Sequence, residues 1–187
     1  TRTIPVSGRF TRRQKQVYAA VLRVLRQCTK NLVPGKLHND WQKEAEQLIE
    51  QELVGLDLLT TREIKRQDPE NPAFKRHFMH GVGHPLGLDV HDVGFTTQPF
   101  QPGWVMTVEP AIYIPEEGFA VRIENDVVIG EKESLDLMAS TPIEAETPMP
   151  IIRTCQVALS GMVTPSLDRL KAPQWMIATA TPPPTSP

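Results

Sequence analysis

"WVMTVEPAIYI", residues 104–114, and "FAVRIENDVVI", residues 119–129, each carry one glutamate inside an apolar, β-rich run. Neither shows helical three-and-four spacing. β-Branched and aromatic residues dominate both, as strands favour. Turn-forming "QPFQPG" (98–103) and "IPEEG" (114–118) punctuate them. The stretch 74–146 therefore reads as an antiparallel β region.

Helices precede it. Thr11 is placed to cap "RRQKQVYAAVLRVLRQC", where Val17, Val21, Val24, Leu25 and Cys28 form one apolar stripe. Asn39 or Asp40 is expected to cap a second helix whose buried face carries Trp41, Ala45, Leu48, Ile49 and Leu53. Thr60 or Thr61 is expected to cap a short third one, before "DPENP" stops it. Arg12, Arg13 and Lys15 read as a solvated helix face. Residues 1–10 read as a strand, "RTIPV", and a turn, "SGR". Helices followed by antiparallel strands give an α+β class.

The bulk numbers bound the rest. The chain has 187 residues, enough for one domain with a real core. Its formal net charge of -2 offers no signature of nucleic acid or an anionic membrane. No apolar run approaches the roughly 18 residues of a membrane helix, and "TRTIPVSGRF" has no apolar signal region. Cys28 and Cys155 are the only cysteines, so no structural disulfide and a reducing, cytoplasmic setting are expected. Residues 147–187 hold eight of the 18 prolines; they read as a Pro-rich, unassigned tail without a packed core.

"HFMHGVGHPLGLDVHDVG", residues 77–94, holds four of the five histidines, four glycines and two aspartates. The glycines suggest a backbone that lets imidazoles approach a ligand. His80 and His84 are four apart, but Gly81, Gly83 and Pro85 argue against a helix. A lone histidine is usually structural, and His77 is left so. His80, His84 and His91 together, followed by Glu109 and Glu124, point to a site. Carboxylates buried in apolar strands need a partner or a metal. Arg122 and Glu124 are two apart and share one strand face; by themselves they fit a surface-facing salt bridge on an edge strand better than a pocket. A histidine with carboxylates suits divalent Mn, Co, Zn or Fe, and paired ions sharing a water suit hydrolysis.

"HGVGHPLGLDVHDVG" (80–94), "PGWVMTVEPAIYI" (102–114) and "GFAVRIENDVVI" (118–129) resemble, in that order, three motifs of the Xaa-Pro aminopeptidases. "TRTIPVSGRFT" (1–11) is similar to the segment after that family's second metal-binding aspartate. The resemblance covers residues 1–146. It implies a partial pita-bread fold, the C-terminal portion of a metallopeptidase catalytic domain, with helices packed on a curved antiparallel sheet. It implies metal ligation by His84, Glu109 and Glu124. It places His80 and His91 as active-site histidines that contact substrate or carry protons, and Arg122 and Tyr113 as catalytic residues near the metal-bridging Glu124 and the metal pocket. It implies two divalent ions, most often Mn, with Zn or Co possible, which activate a water.

The implied substrate is a peptide with proline in second position, with no nucleic acid or membrane partner and a homo-oligomer possible. The family's two aspartate ligands are expected upstream of Thr1, and Asp89 and Asp92 do not match them. Activity of this chain alone is therefore left open. Two alternatives also stand: a prolidase-like dipeptidase, and a non-catalytic pita-bread module that binds peptide or protein.

Overall fold

The computed structural model describes residues 1–94 and 97–145. Cys155 and the Pro-rich tail lie outside the described residues. Three helices come first: α1 (Arg12–Asn31), α2 (His38–Gly55) and α3 (Thr61–Arg66). Five short strands follow: β1 (Val105–Val108), β2 (Ala111–Ile114), β3 (Phe119–Arg122), β4 (Asn125–Val128) and β5 (Leu135–Asp136). The chain is α+β, as its pattern predicts.

α1 starts where expected. The Thr11 hydroxyl accepts from Gln14 N and the Gln14 side chain accepts from Thr11 N, a closed capping box. Its stripe of Val17, Val21, Val24, Leu25 and Cys28 is buried. Thr60 caps α3 the same way with Glu63. α2 departs from expectation: it begins at His38, with Leu37 at the cap position and no side-chain cap bond. The chain enters α2 from a backbone tether instead. Gly35 N donates to Phe100 O, Phe100 N donates to Lys36 O, and Leu37 bridges Pro99. Asp40 stays in the first turn, where the helix dipole favours an anion. Trp41, Ala45, Ile49 and Leu53 face the core as predicted.

Two further expectations are corrected. Residues 1–5 form no strand. Pro5 lacks a ladder donor, and the segment is held by side chains: the Thr3 hydroxyl accepts from Arg122 N at 3.0 Å and donates to Arg122 O at 2.8 Å. The expected turn follows, with Gly8 at φ +76°. Arg13 is not merely solvated. Its guanidinium pairs with Glu117 at 2.7 Å and donates to Leu56 O, tying α1 to the β2–β3 turn and the end of α2.

The strand pairing positions the site. β1 pairs with β4, Val105 with Val128 through Val108 with Asn125. β2 pairs with β3, Ala111 with Arg122 through Ile114 with Phe119. Both pairs keep one register, so they form a single antiparallel hairpin with a local break. Pro110 sits at the break and cannot donate; only Ile123 N to Pro110 O, 3.4 Å, spans it. Glu109 and Glu124 stand opposite each other at that interruption.

Candidate metal centre

A loop from Val82 to Leu86 runs along the free edge of β1. Glu109 N donates to Val82 O, Thr107 N to His84 O and Leu86 N to Val105 O. The first turns of α2 hold this loop from beneath. Gln42 Oε1 accepts from Val82 N at 2.7 Å, and His38 Nε2 lies 3.2 Å from Gly83 O. Gly83 is in close contact with both neighbours. A Cβ there would come within 1.9 Å of Thr107 O and 3.0 Å of Trp41 Cη2. Gly87 lies against the Asp92 carboxylate and Gly94 against the Pro85 ring in the same way. The expected role of the glycines is therefore revised. Gly83 presses the loop onto β1, and Gly87 and Gly94 fold it on itself.

This packing brings His84, Glu109 and Glu124 together. One ligand atom from each lies within 4.8 Å of the others, and all three side chains are partly buried. His84 Nδ1 lies 2.8 Å from Pro85 O, which fixes the proton on Nδ1 and leaves the Nε2 lone pair free. Nε2 then faces Glu109 Oε1 at 3.3 Å. Two acceptors at that distance need a cation between them, a proton or a metal. A nitrogen with two carboxylates is a donor set for a divalent ion of borderline hardness. The residues fit such an ion.

A second cluster adjoins the first. Arg122 and Tyr113 are diagonal neighbours on one face of the β2–β3 ladder, where their direct partners are the small residues Ala111 and Ala120. Arg122 Nη1 lies 3.5 Å from Glu109 Oε2, and its Nη2 donates to the Tyr113 hydroxyl and lies 3.2 Å from His80 Nε2. His80 Nδ1 lies 2.8 Å from Gly81 O, so neutral His80 presents Nε2 as an acceptor to Tyr113 and Arg122. Burial, together with the Arg122 charge, holds the His80 imidazole below its ordinary pKa; the Gly81 carbonyl and Glu109 oppose this. His91 sits apart from this cluster. It is exposed, with its ring 4.3 Å from that of His84. His77 is buried, its Nδ1 2.8 Å from Tyr113 O, in keeping with a structural role. Asp89 and Asp92 do not join the cluster of His84, Glu109 and Glu124 among the described residues.

Some residues at the site escaped the sequence reading. Thr107, buried between His84 and Glu109, is a lone hydroxyl in an apolar run, two positions before a glutamate. That signal is visible in "VMTVE". Pro110, directly after Glu109, announces the ladder break. His38 and Gln42 carry no local signal, because their partners are about 40 positions away. The Thr1 hydroxyl contacts the Glu124 carboxylate, and Glu124 N donates to Thr1 O.

Residues 1–131 match metallopeptidase family M24. The chain is 42% identical over 158 residues to human Xaa-Pro aminopeptidase 3, covering 77% of this chain and 30% of that protein. It is 39% identical over 154 residues to Escherichia coli Xaa-Pro aminopeptidase, covering 75% of this chain and 34% of that one. It thus spans about a third of these relatives' length. Among solved structures, zinc-substituted E. coli aminopeptidase P in complex with product superposes with a TM-score of 0.69 at 36% identity, covering 84% of this chain and 37% of that one. Icp55 from Saccharomyces cerevisiae bound to the inhibitor apstatin gives 0.65 at 35%, covering 78% and 37%. The architecture is accordingly a partial pita-bread fold.

Proposed function

The chain belongs to metallopeptidase family M24, and we propose that it is the metal-binding portion of an aminopeptidase that releases an N-terminal residue preceding proline. The observation that carries this reading is the convergence of His84, Glu109 and Glu124 within 4.8 Å. Manganese is the ion we favour, with zinc or cobalt as substitutes. A bound divalent ion would lower the pKa of a water and polarise the scissile carbonyl.

The chain's own residues do the remaining work. His84 offers Nε2 because Pro85 O holds its Nδ1 proton. Glu109 and Glu124 offer carboxylates from opposite strands at the ladder break. Arg122 holds Glu109 in place and keeps the Tyr113 hydroxyl against His80. His80, kept neutral, can take a proton at Nε2 and return it through Tyr113. His91, exposed beside His84, is the imidazole open to the peptide. The buried apolar strands on the other face leave this polar edge as the working side.

A dinuclear centre needs oxygen donors beyond these three. We place them on aspartates upstream of Thr1. Thr1 lies against Glu124, so a residue close before it would arrive beside that ligand.

The test is a manganese titration by calorimetry on the chain, with Glu124→Ala beside it. Saturable binding that the variant loses supports the metal centre. Absence of binding in the parent would sink the claim that these three residues suffice to hold an ion. Peptides of different length with proline second then separate the aminopeptidase reading from a dipeptidase one, since only the former takes chains longer than two residues.

A further inference from the structure

Thr107 departs from ordinary strand pairing. His84 and Thr107 face each other across the loop–β1 pair, and Thr107 N donates to His84 O at 2.9 Å. The reciprocal bond does not go to the Thr107 carbonyl. His84 N donates instead to the Thr107 hydroxyl at 3.0 Å. The displaced carbonyl turns toward Gly83, where a Cβ would meet it at 1.9 Å. A side chain has taken the place of a backbone acceptor.

The hydroxyl has one proton to give. Its two acceptors, His84 O and Glu109 Oε1, both lie at 3.4 Å. His84 O already accepts from Thr107 N. The carboxylate is the stronger acceptor, because charge-assisted bonds are the stronger ones. Thr107 and Glu109 are two apart on one strand and share a face. Thr107 is only 2% exposed, so water does not substitute for it.

We infer that Thr107 is the positioning residue of the metal centre: one buried hydroxyl fixes the His84 backbone with its lone pair and aims Glu109 Oε1 with its proton. This inference rests on the metal-centre reading above. It sets the spacing between a nitrogen ligand and an oxygen ligand that come from different elements. Outer partners of this kind change metal affinity typically by about 10–100-fold.

The test is a cobalt(II) titration followed by visible absorption, on the parent chain, Thr107→Val and Thr107→Ser. Valine keeps the shape and removes the hydroxyl; serine keeps the hydroxyl and removes a methyl. Affinity down about 10–100-fold with an altered cobalt spectrum in the valine variant, and parental values in the serine variant, are expected. A valine variant that binds cobalt as the parent does would overturn the inference. So would a serine variant that loses as much affinity as the valine one. If the valine variant does not fold, the serine variant decides: parental affinity and spectrum in a less stable protein uphold the role, and a tenfold loss removes it. No cobalt signal in the parent would overturn the metal centre itself, a different failure from parental binding by the valine variant.

Discussion

His80 Nε2 and the Tyr113 hydroxyl meet at 3.1 Å, and Arg122 reaches both. Burial is the largest cause of the lowered His80 pKa, and the Arg122 charge adds to it. Between that lowered value and the unfolded one near 6.5, the unfolded chain holds the proton and the folded chain does not. Stability therefore rises with pH through this window. His80's contribution is fully present above about 6.5 and is lost as pH falls through its folded pKa. NMR titration of the metal-free chain should give a His80 midpoint below 6.5. Arg122→Gln should move that midpoint upward without reaching 6.5, because burial remains. A parental midpoint at or above 6.5 would contradict the assignment of His80 as the neutral imidazole.

Cys28 gives a second pH-linked expectation. It lies at 1% exposure in the α1 stripe, and its carbonyl accepts from Trp41 Nε1 at 2.9 Å. Burial first, and Glu44 second, push its thiol pKa up to about 12. The thiolate is the reactive form. In a Cys155→Ser background at pH 8, a thiol-specific disulfide reagent should leave Cys28 unlabelled in buffer and label it fully in denaturant. Rapid labelling of the folded chain would show that the α1–α2 interface opens.

Much of this was legible in the sequence, and the reason is locality. Capping boxes close over three residues, so Thr11 and Thr60 announce their helices. The α1 stripe is a periodicity, and Glu109 and Glu124 stand out because their neighbours are apolar. The start of α2 is not legible locally because Leu37 is fixed by Pro99, and nor is the course of residues 1–5, because Thr3 is fixed by Arg122. Those contacts join distant parts of the chain. The same holds for His38 and Gln42 beneath the histidine loop. The glycines of that loop look like flexibility in one dimension. In three, Gly83, Gly87 and Gly94 mark where other atoms leave no room for a side chain.

Residue type alone does not separate His84 from His91 as a ligand, although the family resemblance names His84, and their ring centroids lie 4.3 Å apart. Only His84 has its Nδ1 committed to a carbonyl and its Nε2 turned to Glu109. His84→Ala should weaken manganese binding by more than the about 100-fold that loss of an outer partner can cost. His91→Phe, which keeps a ring against His84, should leave binding unchanged. Calorimetry on both variants separates the roles. Equal losses would mean that the ligand had been assigned to the wrong imidazole.

Gly83 tests whether packing, not flexibility, positions the site. An alanine methyl there would meet Thr107 O at 1.9 Å, with Trp41 Cη2 at 3.0 Å behind it. Backbone atoms cannot swing aside as a long side chain can. The loop must lift from β1, stretching Thr107 N to His84 O and Glu109 N to Val82 O, the bonds that position His84 and Glu109. Overpacking of this kind costs about 1–3 kcal/mol. Gly81→Ala is the control. It sits two residues earlier in the same loop, and its nearest atom, Gln42 Oε1, would be 3.7 Å from the new methyl, an ordinary contact. Urea unfolding should show Gly83→Ala destabilised by that amount and Gly81→Ala near the parent. The metal titration should fall with Gly83→Ala alone. If both variants behave alike, the loop takes its shape from backbone freedom, and the close approach to Thr107 does not set the geometry of His84.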